Sequence, residues 1–228
     1  MKNIMFIAPP AAGKGTQAQM ISKKYNIPHI STGDILRDIS HENSEIGNYV
    51  RETLAAGNLV KDDITYQLIR ERLQKSDCKN GYIIDGFPRN YEQALAYDTI
   101  LKDVGYDIGI VIVIDVLEKT LEKRITGRRV CSNCGSVYNV NFEESKPKVN
   151  DVCDDCGHGL KARVDDNLET YDHRYDVYVN ETAPIIDYYS DSEKIYHVDG
   201  TKPLDVVFED IDKIIKENLW LVLRVKKK

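Results

Sequence analysis

Residues 4–16 read IMFIAPPAAGKGT, and this stretch decides the fold of the chain. A short apolar run breaks into a loop of small residues, which ends in Gly13-Lys14-Gly15-Thr16. The pattern predicts a buried strand, a phosphate-binding loop and the first turn of a helix. The backbone N–H groups at a helix start have no intrahelical partner and carry the positive end of the helix dipole, so they attract anions.

The loop departs from the standard phosphate-loop pattern, G-x-x-x-x-G-K-[ST]. Ala8 stands at the first glycine, and Gly15 separates Lys14 from Thr16. Lys14 would still place its charge near the outer phosphates, and the Thr16 hydroxyl could hold Mg²⁺. An ordinary strand–turn–helix corner is the alternative, and the loop alone does not decide between the two.

The bulk composition is that of an ordinary globular chain. The 228 residues are 42% hydrophobic and 30% charged, and they suffice for a sizeable core. The net charge of −6 argues against general nucleic-acid binding, whereas an anionic small ligand is compatible with it if the arginines cluster locally. We see no signal peptide and no apolar run of about 20 residues, so we expect a cytoplasmic protein without a transmembrane segment.

Apolar runs alternate with amphipathic stretches along the chain. Strands are predicted near residues 4–7, 27–30, 81–85, 108–115 and 194–198. Helices are predicted to begin near residue 34 and to cover residues 14–25, 45–56, 62–76, 91–103, 117–127, 167–190 and 203–217. This alternation predicts a mostly parallel sheet with right-handed crossovers, and ligands bind beyond the carboxyl ends of such strands.

Two of the predicted strands end in an aspartate. Either carboxylate could hold Mg²⁺ through water. Asp85 is followed by Gly86-Phe87-Pro88-Arg89, which adds a bend and a cation, whereas for Asp115 we expect a cap on the following helix.

Four of the five cysteines form two C-x-x-C pairs, and these pairs predict a metal site. Cys131 and Cys134 are separated by 18 residues from Cys153 and Cys156, which is typical of a four-cysteine zinc ribbon. Four thiolates leave no open position for water, so the zinc would be structural. Two disulfides are the alternative, and they are uncommon in cytoplasmic proteins.

Together these motifs make the chain resemble adenylate kinases. The lysine-bearing loop, Ser31-Thr32-Gly33-Asp34 with Arg37, the Asp85–Arg89 turn with Gln93, and Gly127-Arg128-Arg129 follow in that family's order, as does Asp199-Gly200-Thr201-Lys202-Pro203. The likeness covers residues 1–217, and the cysteines make it similar to the long-lid, zinc-carrying bacterial form. It implies a P-loop three-layer α/β/α fold with a five-stranded parallel sheet, a helical AMP-binding insertion and a zinc-ribbon lid.

The resemblance implies the reaction ATP + AMP ⇌ 2 ADP, with Mg²⁺ accompanying ATP. Its implied domains are a core of residues 1–30, 61–127 and 166–228, an AMP-binding segment of residues 31–60 and a lid of residues 128–165. The implied catalytic residues are Lys14, Asp85, Arg89, Arg124, Arg128, Arg163 and Arg174. We expect a monomer, because the family's site is complete within one chain.

The resemblance also assigns the ligand contacts. The ATP contacts would be Ala11, Ala12, Gly13, Lys14, Gly15, Thr16, Arg124, Arg128, Val137, Tyr138 and Lys202. The AMP contacts would be Thr32, Arg37, Asn58, Leu59, Val60, Gly86, Arg89, Gln93, Arg163 and Arg174. Zinc would bind Cys131, Cys134, Cys153 and Cys156, and Mg²⁺ would bind Thr16 and, through water, Asp85.

Three points stay open in the sequence. Ala8 and Ala11 stand where the family usually has glycine, and we expect both at negative φ. The function also has alternatives. Other nucleoside monophosphate kinases, such as a GTP:AMP phosphotransferase, use similar loops. A non-catalytic nucleotide-binding regulator and a zinc-ribbon nucleic-acid binder are two further alternatives. The apolar and basic tail at 219–228 would prolong the last helix or pack on the sheet edge, with a membrane surface or a partner as the alternative.

Overall fold

The computed structural model describes residues 3–190 and 194–225, with the backbone alone at 219–225. The strands are β1 (Ile4–Ile7), β2 (His29–Ser31), β3 (Ile83–Asp85), β4 (Ile110–Asp115), β5 (Arg128–Cys131), β6 (Val137–Asn139), β7 (Leu160–Lys161) and β8 (Ile195–Asp199). The α-helices are α1 (Lys14–Tyr25), α2 (Thr32–Ser40), α3 (Glu45–Ala55), α4 (Asp62–Leu73), α5 (Tyr91–Val104), α6 (Glu118–Gly127), α7 (Leu168–Val177), α8 (Pro184–Ser190) and α9 (Leu204–Val225). Among these described helices, none is both long and apolar enough to span a membrane.

The main sheet has five parallel strands in the order β2-β3-β1-β4-β8. Strand β1 is central, and its residue Phe6 lies opposite Asp85 of β3 on one side and Ile112 of β4 on the other. The carboxyl ends of β1, β2 and β3 therefore meet at one edge. The predicted five-stranded parallel sheet is confirmed, and its topology places the phosphate loop beside Asp85.

Helices cover both faces of this sheet, as expected of strands that are apolar throughout. Because side chains alternate along a strand, Ile4 and Phe6 of β1 pack on one face with apolar residues of α1, α6 and α9. Met5 and Ile7 pack on the other face with residues of α4, α5 and α8. The result is the three-layer arrangement predicted from the sequence.

Two smaller units stand out from the main sheet. Helices α2 and α3 share a small core with the start of α4, in which Leu36, Val50 and Val60 are buried. Strands β5, β6 and β7 form a separate antiparallel sheet in the order β6-β5-β7. Among the described residues there are thus three hydrophobic clusters besides the small one at the cysteines.

The stretch predicted as one helix over residues 167–190 is interrupted. Helix α7 ends at Val177, a π-helical turn covers Tyr178–Thr182, and α8 begins at Pro184. Pro184 has no N–H to continue the intrahelical bonds. The N–H of Ala183, the residue before it, donates to the carbonyl of Tyr178, five residues back, at 2.8 Å, which is the π-helical pattern. Pro184 takes the first position of α8, where no N–H is needed.

Two other expectations concern Asp115 and the chain end. Asp115 does not cap α6, because the N-cap residue of that helix is Leu117. The Asp115 carboxylate lies 2.8 Å from His197 Nδ1 instead. The last helix runs past residue 217 to Val225, so the backbone of the tail prolongs α9 as expected. Residues 226–228 and the side chains of the whole tail lie outside the described part of the structure, and so does the membrane or partner alternative.

The phosphate loop contains a tight turn that corrects one expectation. The Ala12 N–H donates to the Pro9 carbonyl at 3.3 Å, so Pro10 and Ala11 occupy the two central positions of a β-turn. Proline at the first central position is typical of a type II turn, which requires positive φ at the second. Ala11 accordingly has φ +63°, and the prediction of negative φ at Ala11 was wrong; Ala8 is not in the left-handed region.

We predict that Ala11→Gly raises the free energy of unfolding by about 0.5–1 kcal/mol. The substitution removes a left-handed strain of about 1–2 kcal/mol and adds the smaller backbone entropy cost of glycine. Urea unfolding of the zinc-loaded protein measures the change. Ala8→Gly is the matched control and should destabilise, since Ala8 is buried and carries no such strain. Equal destabilisation by both variants would contradict this reading of the turn.

Candidate active site

A cleft of about 310 Å³ opens at the carboxyl ends of the central strands, between the phosphate loop, α2, α7 and the β5–β7 sheet. Its charged lining is strongly cationic, although the chain as a whole has a net charge of −6. The cations are Lys14, Arg37, Arg89, Arg124, Arg128, Arg163, Arg174 and Lys202. The carboxylates are Asp34, Asp85 and Glu144. The cleft therefore fits a polyanionic ligand.

The loop side of the cleft is fixed by an ion pair between Lys14 and the buried Asp85. Lys14 Nζ lies 3.1 Å from Asp85 Oδ1, and His29 Nε2 lies 3.1 Å from the other oxygen, Oδ2. Burial alone would raise the pKa of Asp85, but the Lys14 charge and the His29 contact outweigh it and hold that pKa well below its ordinary range. Burial also lowers the pKa of Lys14, against the opposing attraction of Asp85.

The N-terminus of α1 offers the loop's donors to the same space. Gly13, with φ +92°, is the N-cap residue, and the first N–H to bond along the helix is that of Gln17, which donates to the Gly13 carbonyl at 3.0 Å. The N–H groups of residues 14–16 precede this bond and point out of the helix end. The Ala12 N–H is occupied by the turn to Pro9, so the phosphate-facing donors begin after it.

Arginines from three parts of the chain face this loop. Arg89 follows β3, and its Nε donates to the Gly86 carbonyl at 2.8 Å. Arg174 of α7 pairs with Asp165 at 2.6 Å, and Arg128 of β5 pairs with the buried Asp166. Burial and neighbouring arginines lower the pKa of Arg89 to about 10, which leaves it protonated at neutral pH.

Contacts also cross the cleft between its separate elements. Arg163, beyond β7, lies 3.7 Å from Asp34 of α2, whose carboxylate also pairs with Arg37. Burial, reinforced by Arg128 and Arg37, lowers the pKa of Arg163 to about 10. Few carboxylates neutralise the guanidinium groups here, so an added anion would bind several arginines at once.

Arg124 occupies the other end of the cleft and ties two loops together. Its guanidinium donates to the Ala12 carbonyl at 3.2 Å and to the Gly200 carbonyl at 2.9 Å. Val137 and Tyr138 of β6 and Lys202 also line this end. Apolar and aromatic side chains beside a phosphate loop can accept the flat base of a nucleotide.

Four of the expected AMP contacts lie next to the cleft and not in its lining. Thr32 is buried and donates to the Gly86 carbonyl at 2.7 Å, and a Cβ on Gly86 (φ +80°) would lie 2.7 Å from that hydroxyl. Gln93 accepts the Arg89 N–H at 2.8 Å and donates to Asp62 at 2.7 Å. Val60 is packed in the small core with α2 and α3.

The fourth of these residues is Asn58, whose Oδ1 lies 2.7 Å from His173 Nε2 of α7. Leu59, Gly86, Arg37, Arg89, Arg163 and Arg174 do line the cleft, as do all the expected ATP contacts. Sequence reasoning missed His29, Asp34, Asp165 and Asp166. Asp34 stood within a motif and was interpreted as a helix-start signal, whereas no local pattern distinguishes the other three.

The four paired cysteines converge on one point. The Sγ atoms of Cys131, Cys134, Cys153 and Cys156 lie within 4.8 Å of one another, with neighbouring pairs at 3.4–3.5 Å. Zn–S bonds of about 2.3 Å in a tetrahedron place sulfurs about 3.8 Å apart, so the set fits zinc. None of the four forms a disulfide in the described structure, since the sulfurs at 3.4–3.5 Å are well beyond the disulfide bond length of about 2.05 Å.

The surroundings of Cys153 favour its thiolate form. The Tyr138 hydroxyl and nearby backbone N–H groups hold the pKa of Cys153 below its ordinary value. His158 is exposed and outside the cluster, with Nδ1 3.1 Å from the Cys156 carbonyl. Cys78, the fifth cysteine, is buried far from these four and contacts Arg72 and Asp77.

A phosphate-binding loop that faces six arginines across one cleft defines a nucleotide phosphotransferase of the P-loop class. A family model described as adenylate kinase matches residues 6–194. The adenylate kinase of Caldanaerobacter subterraneus subsp. tengcongensis is 46% identical over 212 residues, which cover 93% of this chain and 95% of that protein. Those of Thermosipho africanus and Archaeoglobus fulgidus are 46% and 45% identical over 94% of this chain, and the matches cover 99% and 98% of those proteins. The chain belongs to the adenylate kinase family.

We predict that removing zinc loosens residues 128–165, the expected lid, and leaves the main sheet intact. This segment has little apolar core besides the cysteine cluster, so we expect its folded state to depend on the metal. Hydrogen exchange should speed up about tenfold or more in residues 128–165, with exchange in β1, β3 and β4 unchanged.

Two variants make this test specific to the cluster. Cys153→Ser should lose stoichiometric zinc and show the same fast lid exchange, while Cys78→Ala should retain one zinc per chain. An unchanged lid exchange pattern after verified zinc removal would contradict the prediction.

Proposed function

We propose that this chain catalyses the reversible, Mg²⁺-dependent transfer of the γ-phosphoryl group of ATP to AMP, giving two ADP. The observation that carries the proposal is the cationic cleft, in which Lys14 and the α1 N-terminus face six arginines. A carrier of one nucleotide needs no such surplus of charge. Two nucleotides that meet through their phosphates do, since their negative charge is concentrated between them.

We assign the donor ATP to the end of the cleft formed by the phosphate loop and the lid. The N–H groups of Gly13 to Thr16 and the Lys14 ammonium would bind the β- and γ-phosphates. Arg124 and Arg128 would bind the same phosphates from the lid side. Tyr138, with Val137 and the backbone near Lys202, would hold the base. All three residues belong to the lining of the cleft.

We assign the acceptor AMP to the opposite end, next to α2. Arg37 and Arg89 would hold its phosphate, since a planar guanidinium suits bidentate contact with phosphate oxygens. Thr32, Gln93 and the stretch of residues 58–60 would contact the base and ribose after modest side-chain movement. Gly86 leaves Thr32 and Arg89 their places there, since an added Cβ would lie 2.7 Å from the Thr32 hydroxyl and 2.9 Å from Arg89 Nη2.

Mg²⁺ fits between the two subsites. Thr16 and Asp85 would hold it, with Asp85 acting through a water, because both Asp85 oxygens already face Lys14 and His29. Mg²⁺ usually keeps several waters when it binds a nucleotide. When bound, the ion neutralises phosphate charge and orients the donor.

The transfer itself needs alignment and charge stabilisation from the protein. An oxygen of the AMP phosphate forms a bond to Pγ as the bond from Pγ to the bridging β-γ oxygen breaks, and ADP leaves with that oxygen. The moving group carries its negative charge throughout. Lys14, Arg89, Arg163 and Arg174 would surround that group, and the guanidinium groups stay protonated at neutral pH.

Exclusion of water requires parts of the chain to close over the ligands. We propose residues 128–165 as the lid, residues 31–60 as the AMP-binding segment, and residues 1–30, 61–127 and 166–228 as the core. The Arg163–Asp34 and Asn58–His173 contacts are of the kind that would form on closure. We also propose that the protein is a monomer, since every assigned residue belongs to one chain. We propose the cytoplasm as its location.

A coupled assay that crosses donors with acceptors tests the function. ATP and GTP are each paired with AMP, GMP, CMP and UMP. We expect the highest kcat/KM for ATP with AMP. A higher value for GTP with AMP would favour a GTP:AMP phosphotransferase, and nucleotide binding without turnover would favour a non-catalytic regulator.

Arg89→Lys tests the assignment of the AMP subsite. We predict that the KM for AMP rises about tenfold or more, because the ammonium keeps the charge and loses the two-pronged contact. The KM for ATP should change less than about twofold. Arg70→Lys is the matched control, since Arg70 is exposed and pairs with Asp103 away from the cleft. Equal increases in both KM values would contradict the assignment.

A further inference from the structure

Tyr138 of β6 contacts both the cleft and the cysteine cluster. Tyr138 belongs to the lining of the cleft at the end that we assigned to ATP, next to Val137. Its hydroxyl oxygen lies 3.5 Å from Cys153 Sγ and accepts the Asp154 N–H at 2.8 Å. One residue of β6 therefore joins the ligand space to a residue that would bind zinc.

Because of its position in the chain, Tyr138 connects the two cysteine pairs. Tyr138 follows the first cysteine pair by four residues, and strand pairing places it opposite Arg129 of β5. Its hydroxyl reaches the second pair, at Cys153 and Asp154. The position of β6 therefore depends on the two cysteine pairs being held together, which would be the function of the metal.

The hydroxyl has a chemical reason to stay there when zinc is bound. Four thiolates around one Zn²⁺ carry a net negative charge, and O–H or N–H donors next to the sulfurs stabilise it. The Tyr138 oxygen accepts one bond and can donate its proton to the Cys153 sulfur, so both of its capacities are used. Removing the hydroxyl leaves β6 without this link to the second cysteine pair.

We propose that Tyr138 is a positioning residue through which zinc binding and ATP binding strengthen each other. The proposal rests on the assignment of ATP to this end of the cleft. Zinc would fix the hydroxyl, the hydroxyl fixes β6, and β6 presents Val137 and Tyr138 to the base. Since coupling between two ligands is reciprocal, bound ATP must also slow the loss of zinc.

Ser136 provides a matched control on the same hairpin. Its hydroxyl lies 3.2 Å from Cys134 Sγ and donates to Asp155 at 2.6 Å, so it also contacts the cluster. Ser136 is not part of the cleft lining. Tyr138→Phe and Ser136→Ala thus each remove one hydroxyl beside a cluster sulfur, but only the first connects to the cleft.

The experiment measures zinc release to a chromophoric chelator with and without saturating Mg-ATP. Each variant is first loaded to one zinc per chain in excess zinc. In the unsubstituted protein and in Ser136→Ala, Mg-ATP should slow release about fivefold or more. In Tyr138→Phe the effect should fall below about twofold. Ser136→Ala also corrects for any chelation of zinc by ATP itself.

Calorimetric titration of the zinc-loaded proteins with ATP completes the test. Tyr138→Phe should bind ATP about fivefold more weakly, although it keeps the aromatic ring, and Ser136→Ala should bind within about twofold of the unsubstituted protein. An undiminished effect of ATP on zinc release in Tyr138→Phe would overturn the proposal, as would no effect in the unsubstituted protein. Failure of the unsubstituted protein to bind ATP at all would instead overturn the proposed function.

Discussion

The ion pair between Lys14 and the buried Asp85 is the interaction on which the site depends. A buried carboxylate is costly unless it is paired, and Asp85 has Lys14 on one oxygen and His29 on the other. The pair joins the first residue of α1 to the end of β3, because β1 and β3 are parallel neighbours. The register of the sheet thereby fixes where the phosphate loop opens and which side chains face it.

Charge distribution extends this constraint to the rest of the molecule. An acidic chain places six arginines and two lysines in one cleft, and they come from the core, from α2 and from the lid. Mutual repulsion among them is only partly relieved by carboxylates such as Asp34 and Asp166. Phosphates would complete that neutralisation, so ligand binding and the approach of the separate elements favour one another.

The fold and the centre of the site could be predicted from the sequence because both are encoded locally. Continuous apolar runs gave the parallel strands, and the cysteine spacing gave the metal cluster. Contacts that depend on tertiary arrangement could not be predicted, such as the Arg163–Asp34 pair and the Tyr138–Cys153 contact. Ala11 is a third case. Its positive φ follows from the turn that has Pro10 and Ala11 at its centre, and this turn outweighs the preference of alanine for negative φ.

The central claim is that two nucleotides meet within one chain. Titration calorimetry with a bisubstrate analogue, two adenosines joined by five phosphates, tests it most directly. The account predicts one analogue bound per chain, with an affinity about 100-fold or more above that of ATP, because both subsites are occupied by one molecule. Two analogues per chain, or an affinity no higher than that of ATP, would contradict it.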